Sequence, residues 1–158
     1  MPSSTLWILA VGNEFRRDDG LAIEAARRLA ETLPRDPTLR LLHLAGLPLP
    51  APWHPADAVL ILDAVATPRH PPGTLISLGP EELQRLPADL RVSSHGIGFG
   101  EWIRLVSLEP GLPRALRFLG VVGQDFGPGK GLSPAVAAAL PRLVAQALHW
   151  IRELRSEP

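Results

Sequence analysis

Asp19, Asp63 and His95 are side chains whose types could hold a metal ion or move a proton, and each stands beside a short apolar run or in a loop. Asp19 lies shortly after Leu6–Val11, Asp63 directly follows Ala58–Leu62, and His95 sits within Ser93-Ser94-His95-Gly96. Apolar runs of this kind read as buried strands of a parallel sheet. In an open α/β sheet, ligands bind beyond the carboxyl ends of the strands. If the strands are parallel, the three side chains reach one edge. Two carboxylates and an imidazole suit a borderline first-row divalent ion such as nickel or zinc. Three protein ligands leave coordination positions open, as catalytic or substrate-sensing sites require.

Each residue also has an ordinary reading. Asp18 and Asp19 stand where helix N-caps belong, and carboxylates there are favoured by the macrodipole. One can cap while its neighbour points elsewhere. His95 by itself is a loop histidine. Asp63 is harder to explain away, because a carboxylate after five apolar residues risks burial and needs a partner. Other candidates carry less. Gly12-Asn13 after a strand suggests a nucleotide-binding turn, but G-x-G-x-x-G is absent and the acidic pair would repel phosphate. Ser93, Ser94 and Ser133 lie in no G-x-S-x-G elbow. His43, His54, His70 and His149 show no metal spacing. Glu14, Arg16 and Arg17 read as a solvated loop beside the site, with one arginine able to orient an acidic partner. Trp53 and Trp102 read as packing.

The elements that must position these residues follow from periodicity. The 158 residues and 46% hydrophobic content favour one globular domain over residues 1–158. Strands are expected at Leu6–Val11, Leu39–Leu44, Ala58–Leu62, Thr74–Leu78 and Arg117–Val122. Helices are expected from Asp18 and Asp19 to Leu33, over Pro80–Leu86, over Gly98–Ser107, and from Pro134 to Leu154 with a kink or a break at Pro141. Gly123–Gly131 holds four glycines and reads as a loop. This alternation points to an α/β fold with a largely parallel sheet covered on both faces. Sixteen basic and sixteen acidic residues cancel, so no positive excess serves nucleic acid or an anionic membrane. Cysteine and tyrosine are absent and Lys130 is the single lysine. Disulfides, thiolate metal sites and thiol nucleophiles are thereby excluded. Neither a signal peptide nor a membrane span is evident, which suggests a cytoplasmic protein.

Gly12-Asn13-Glu14-Phe15-Arg16-Arg17-Asp18-Asp19-Gly20 after an apolar strand resembles the signature of the nickel–iron hydrogenase maturation endopeptidases. The resemblance continues through Ile61–Val65, Ser94–Gly98 and Gly131–Val136, in order and nearly over the whole chain. It implies a three-layer α/β/α sandwich on a twisted, mostly parallel five-stranded sheet with one antiparallel strand. It also implies an aspartic-type, nickel-dependent endopeptidase that removes a C-terminal extension from the large-subunit precursor of a nickel–iron hydrogenase. Nickel in the precursor is then the recognition signal, and Asp19, Asp63 and His95 are the metal-binding and catalytic residues. The implied partner is that precursor, with the enzyme a monomer and any other divalent ion adventitious. Ala22 stands where the family usually has a second glycine, and Gly123-Gln124-Asp125 where a proline–glutamate pair is common. Two other readings remain open: a maturation factor that docks on the metal centre without cutting, and a small-molecule α/β hydrolase with an anion site at Gly127–Gly131 and Lys130.

Overall fold

A computed structural model of the chain describes residues 4–86, 90–92 and 98–156. Its strands are β1 (Leu6–Val11), β2 (Leu39–Leu44), β3 (Ala58–Ala66), β4 (Leu75–Leu78), β5 (Arg91–Val92) and β6 (Ala115–Val122). Its helices are α1 (Leu21–Thr32), α2 (Pro80–Gln84), α3 (Phe99–Leu108) and α4 (Pro134–Ser156), with a short 3-10 turn at Arg17–Gly20 before α1. The main sheet runs β2-β1-β3-β6-β4. The first four of these strands are parallel, and β4 is antiparallel to β6. The expected five-stranded mixed sheet is therefore present. The two-residue β5 adds an antiparallel pairing to the end of β3, with Val92 opposite Val65. Nothing in the sequence marked it, since two residues carry no periodicity.

Strand β3 is buried over nearly its whole length, which is why it reads as a continuous apolar run rather than as an alternation. Its side chains still divide by face with the period of two that a strand imposes. Leu60, Leu62 and Ala64 pack with Ile8 and Ala10 against Leu21, Ala25 and Leu29 of α1 and Val136, Leu140 and Leu143 of α4. Val59, Ile61 and Val65 pack with Leu9 and Phe118 against Phe99, Trp102 and Val106 of α3. Helices thus cover both faces, giving the three layers. Trp102 is fully buried, stacks edge-on to Trp53 at 5.7 Å and donates its indole N–H to Pro48 O at 2.8 Å. Both tryptophans are packing residues.

Three boundaries differ from the sequence reading. β3 does not stop before Asp63 but continues to Ala66, because pairing with β6 extends through Asp63–Gly120 to Val65–Val122. α1 begins at Leu21 after the 3-10 turn, with Gly20 and not an aspartate at its N-cap. α4 is one helix through Pro141, not two, because Leu140, Leu143 and Ala147 bury a stripe on either side of an exposed proline. No helix among the described residues is long and apolar enough to cross a membrane.

Candidate functional site

The loop from β1 to α1 folds back on itself, and its residue types explain how. Gly12 has φ +150°, and a methyl group there would lie 2.0 Å from the Asp19 carbonyl oxygen. Only glycine permits that approach. The Asn13 N–H donates to the Asp19 carbonyl and to its Oδ2, both at 3.1 Å. Asn13 Oδ1 in turn accepts from the Phe15 N–H at 2.9 Å, the local turn that asparagine favours. Gly20 closes the loop, since a methyl on it would meet Glu14 Cα at 2.9 Å. Glycine, asparagine and glycine at these spacings therefore place Asp19 back against the end of β1.

Asp19 is 3% exposed. Its Oδ2 is met by the Asn13 N–H and lies 3.6 Å from Arg16 Nη1. Its Oδ1 is buried and accepts no hydrogen bond from the described residues. A buried carboxylate oxygen without a donor costs free energy that a cation at the same place would return.

Asp63 is fully buried and its Oδ1 accepts the Ala64 N–H at 2.8 Å. By strand alternation it lies on the face that Val59, Ile61 and Val65 share with α3. The last β1–β3 pair is Ala10–Leu62, so Asp63 is level with the end of β1 from which the Asp19 loop departs. The 3-10 turn carrying Asp19 packs against β3. Both aspartates consequently occupy the carboxyl edge of the parallel strands. His95 lies outside the described residues. Among the described residues no group of three metal-ligating side chains comes together.

Asp18 is buried too, and it faces the other way. Its carboxylate accepts the N–H groups of Gln124 (2.8 Å), Asp125 (2.9 Å) and Ser133 (2.7 Å) and the Ser133 hydroxyl. Burial alone would raise its pKa, but these four bonds outweigh burial and hold the carboxyl below its ordinary value. Neither Asp18 nor Asp19 caps α1 with its side chain, contrary to the capping reading. Ser133 likewise spends its hydroxyl on Asp18. No local pattern marks this partnership, because its members are more than a hundred residues apart.

The remaining candidates fall as expected. His43, His54, His70 and His149 are all exposed. His149 pairs with Glu153 on α4 at 3.0 Å. Lys130, the basic group of the supposed anion loop, lies 4.8 Å over the Phe15 ring. The amino end of α4 beside it receives the chain's own Asp18 carboxylate, a fixed anion where a phosphate would sit. Sequence reasoning missed Asp57. It accepts the N–H groups of Thr5 (2.8 Å) and His54 (2.9 Å) and the Trp7 indole N–H (3.0 Å) just before β3, at the opposite edge of the sheet. A carboxylate preceding Ala58–Leu62 was as visible as the one following it.

Comparison with known proteins places this geometry in a family. The family model described as HycI, hydrogenase maturation protease, matches residues 45–150. A hydrogenase 2 maturation protease from Escherichia coli is 26% identical over 148 residues, covering 92% of this chain and 90% of that one. The hydrogenase expression/formation protein HupD from Rhodobacter capsulatus is 30% identical over 154 residues, covering 94% and 70%. Among solved structures, the hydrogenase maturating endopeptidase HybD from E. coli superposes with a TM-score of 0.81 at 25% identity, over 94% of this chain and 93% of that one. A [NiFe] hydrogenase maturation protease HybD from Thermococcus kodakarensis gives 0.71 at 28% identity, over 92% and 98%.

Proposed function

The chain belongs to the hydrogenase maturation proteases, a family of peptidases, and from that premise we propose that it removes a C-terminal extension from the nickel-loaded large-subunit precursor of a nickel–iron hydrogenase. Asp19, Asp63 and His95 complete the coordination of a nickel ion that arrives with the substrate. The observation that carries this reading is Asp19 Oδ1, a buried carboxylate oxygen with no donor among the described residues, at the sheet edge that Asp63 shares. Carboxylate oxygens together with an imidazole are donors that suit a first-row divalent cation.

His95 joins them through chain connectivity. β5 returns the chain to β3, with Val92 opposite Val65, two positions from Asp63. His95 follows Val92 by three residues, a span of at most about 11 Å. Nickel so held polarises the scissile carbonyl or activates water. The two aspartates and the histidine orient the precursor by gripping its metal, which fixes the scissile peptide at the sheet edge and removes much of the entropic barrier. Asp19 or Asp63 is then the aspartic-type base within reach of an attacking water. With cysteine absent, Ser133 committed to Asp18, and Ser93 and Ser94 in no G-x-S-x-G elbow, direct hydrolysis without an acyl-enzyme is the expected route. The protein acts as a cytoplasmic monomer.

The test incubates the protein with nickel-loaded and nickel-free precursor and weighs the products by mass spectrometry. Clipping of the nickel-loaded form alone is expected, with loss in Asp19→Asn, Asp63→Asn and His95→Ala. Clipping of nickel-free precursor would remove the recognition model. Unchanged clipping by the three variants would remove the site.

A further inference from the structure

We propose that Asp18 is a positioning residue for the cleavage reaction: it clamps the turn that carries Asp19 to the loop between β6 and α4, and so fixes where Asp19 Oδ1 lies. The inference rests on the reading of Asp19 as a ligand of the substrate's nickel.

A carboxylate is an acceptor with about four lone-pair sites, and here four donors converge on it. Oδ2 takes the Gln124 and Asp125 N–H groups and the Ser133 hydroxyl, and Oδ1 takes the Ser133 N–H. All four come from one segment, residues 124–133. That segment grips the turn through its backbone as well. The Asp18 N–H donates to Asp125 O at 3.0 Å and the Arg17 N–H to Gly129 O at 2.9 Å, while the Gly129 N–H donates to Phe15 O at 2.9 Å. Close approach is built in, since a methyl on Gly123 would lie 2.5 Å from the Phe126 ring and 3.2 Å from Asp18 Cβ. Arg17 adopts φ +45°, a left-handed conformation that a non-glycine residue holds only when its surroundings impose it.

The Asp19 carboxylate is met from its own loop, by the Asn13 N–H and the Arg16 guanidinium, and the Asp19 backbone is bonded within the same loop, to Asn13 and Arg16. Those contacts tie Asp19 to the end of β1, and the anchor one residue earlier ties the same turn to the segment that enters the long helix α4. The Asp18 carboxylate is taken up by these four donors. It acts through Asp19, as outer groups act on metal ligands generally.

Asp57 supplies the control. It is a buried carboxylate with three donors, also essential to local packing, but it lies at the edge of the sheet away from the site. Wild type, Asp18→Asn, Ser133→Ala, Ser133→Thr, Asp57→Asn and Asp19→Asn are compared on nickel-loaded precursor at a temperature where circular dichroism shows each folded. Amide hydrogen exchange is followed over residues 13–20. The expected result is a clipping rate about 10- to 100-fold lower in Asp18→Asn, a smaller loss in Ser133→Ala, and recovery in Ser133→Thr, which keeps the hydroxyl. Exchange at residues 13–20 rises in the first two. Asp57→Asn lowers the melting temperature but clips at the wild-type rate, with no change at residues 13–20. The proposal is overturned if Asp18→Asn and Ser133→Ala clip like Asp57→Asn per folded molecule while Asp19→Asn is inactive. Should Asp18→Asn not fold, Ser133→Ala and its threonine partner decide. Full activity in Asp19→Asn would instead overturn the site reading.

Discussion

At the scale of single residues, two adjacent aspartates have opposite surroundings. Asp18 has four donors and a lowered pKa, whereas Asp19 has one buried oxygen that no described residue serves. A group kept unsatisfied for function is a cost to the fold, so relieving it should stabilise the protein while removing its activity. Asp19→Asn is expected to lower clipping by more than about 100-fold and to leave the melting temperature unchanged or raised. Clipping by mass spectrometry and a thermal melt on one preparation check both halves. Asp57 behaves in the reverse sense. Burial raises its pKa, but hydrogen bonds from His54, Thr5 and Trp7 more than offset burial, and its carboxyl stays below the ordinary value. A depressed folded pKa contributes stability above the unfolded value of about 3.9 and loses it as pH falls through the folded one. Asp57→Asn should therefore cost about 1.5–3 kcal/mol at neutral pH, a gap that narrows as the pH falls from about 4 through the lowered folded pKa. Urea unfolding at pH 7 and pH 3 measures it.

Among elements, the decisive one is the β1–α1 connection, and its glycines are steric requirements. Gly12→Ala must push the Asp19 carbonyl away from a methyl placed 2.0 Å from it. The strained backbone alone costs about 1–3 kcal/mol, and clipping should fail even where the protein folds. Gly100→Ala within α3 is the contrast, because its methyl would meet nothing closer than Leu83 O at 3.8 Å. It should stabilise the fold by about 0.5–1 kcal/mol and leave clipping intact. Denaturant melts and the precursor assay distinguish the two. This element also shows what a sequence displays and what it conceals. Leu6–Val11, Leu39–Leu44 and the helices were legible because burial on one or both faces leaves a local period. Asp19 and Asp63 were legible as edge residues because both sit next to such runs. The extension of β3 through Asp63 was not, since it depends on pairing with β6, whose partner Gly120 lies far along the chain. The Asp18–Ser133 anchor was hidden for the same reason. β5 escaped notice because a two-residue pairing is made entirely by its neighbour.

For the whole molecule, the absence of cysteine means that the proposed site would grip nickel without a thiolate. Imidazole suits nickel, whereas carboxylate oxygens suit harder ions, so a set of two carboxylates and one imidazole matches nickel at one of its three donors. An enzyme that coordinates its substrate's nickel through Asp19, Asp63 and His95 must also release it, or each molecule would act once. Ligands of modest affinity permit that release, while the geometry of the sheet edge supplies the orientation that affinity does not. The fold is consistent with such a division of labour. Asp19 rides on a turn anchored to α4, Asp63 on the fully buried β3, and β5 ties the segment leading to His95 onto the end of that strand. On the proposed reading, such placement would let ligands of modest affinity act together without a deep metal trap. The expectation is turnover of many precursor molecules per enzyme, with the enzyme recovered essentially free of nickel. Separating the reaction mixture by size exclusion and measuring nickel by mass spectrometry in each fraction provides the check. Nickel should travel with the clipped large subunit. One equivalent retained by the protease, together with a single turnover, would mean that the metal is the enzyme's own and that the missing thiolates have no bearing on release.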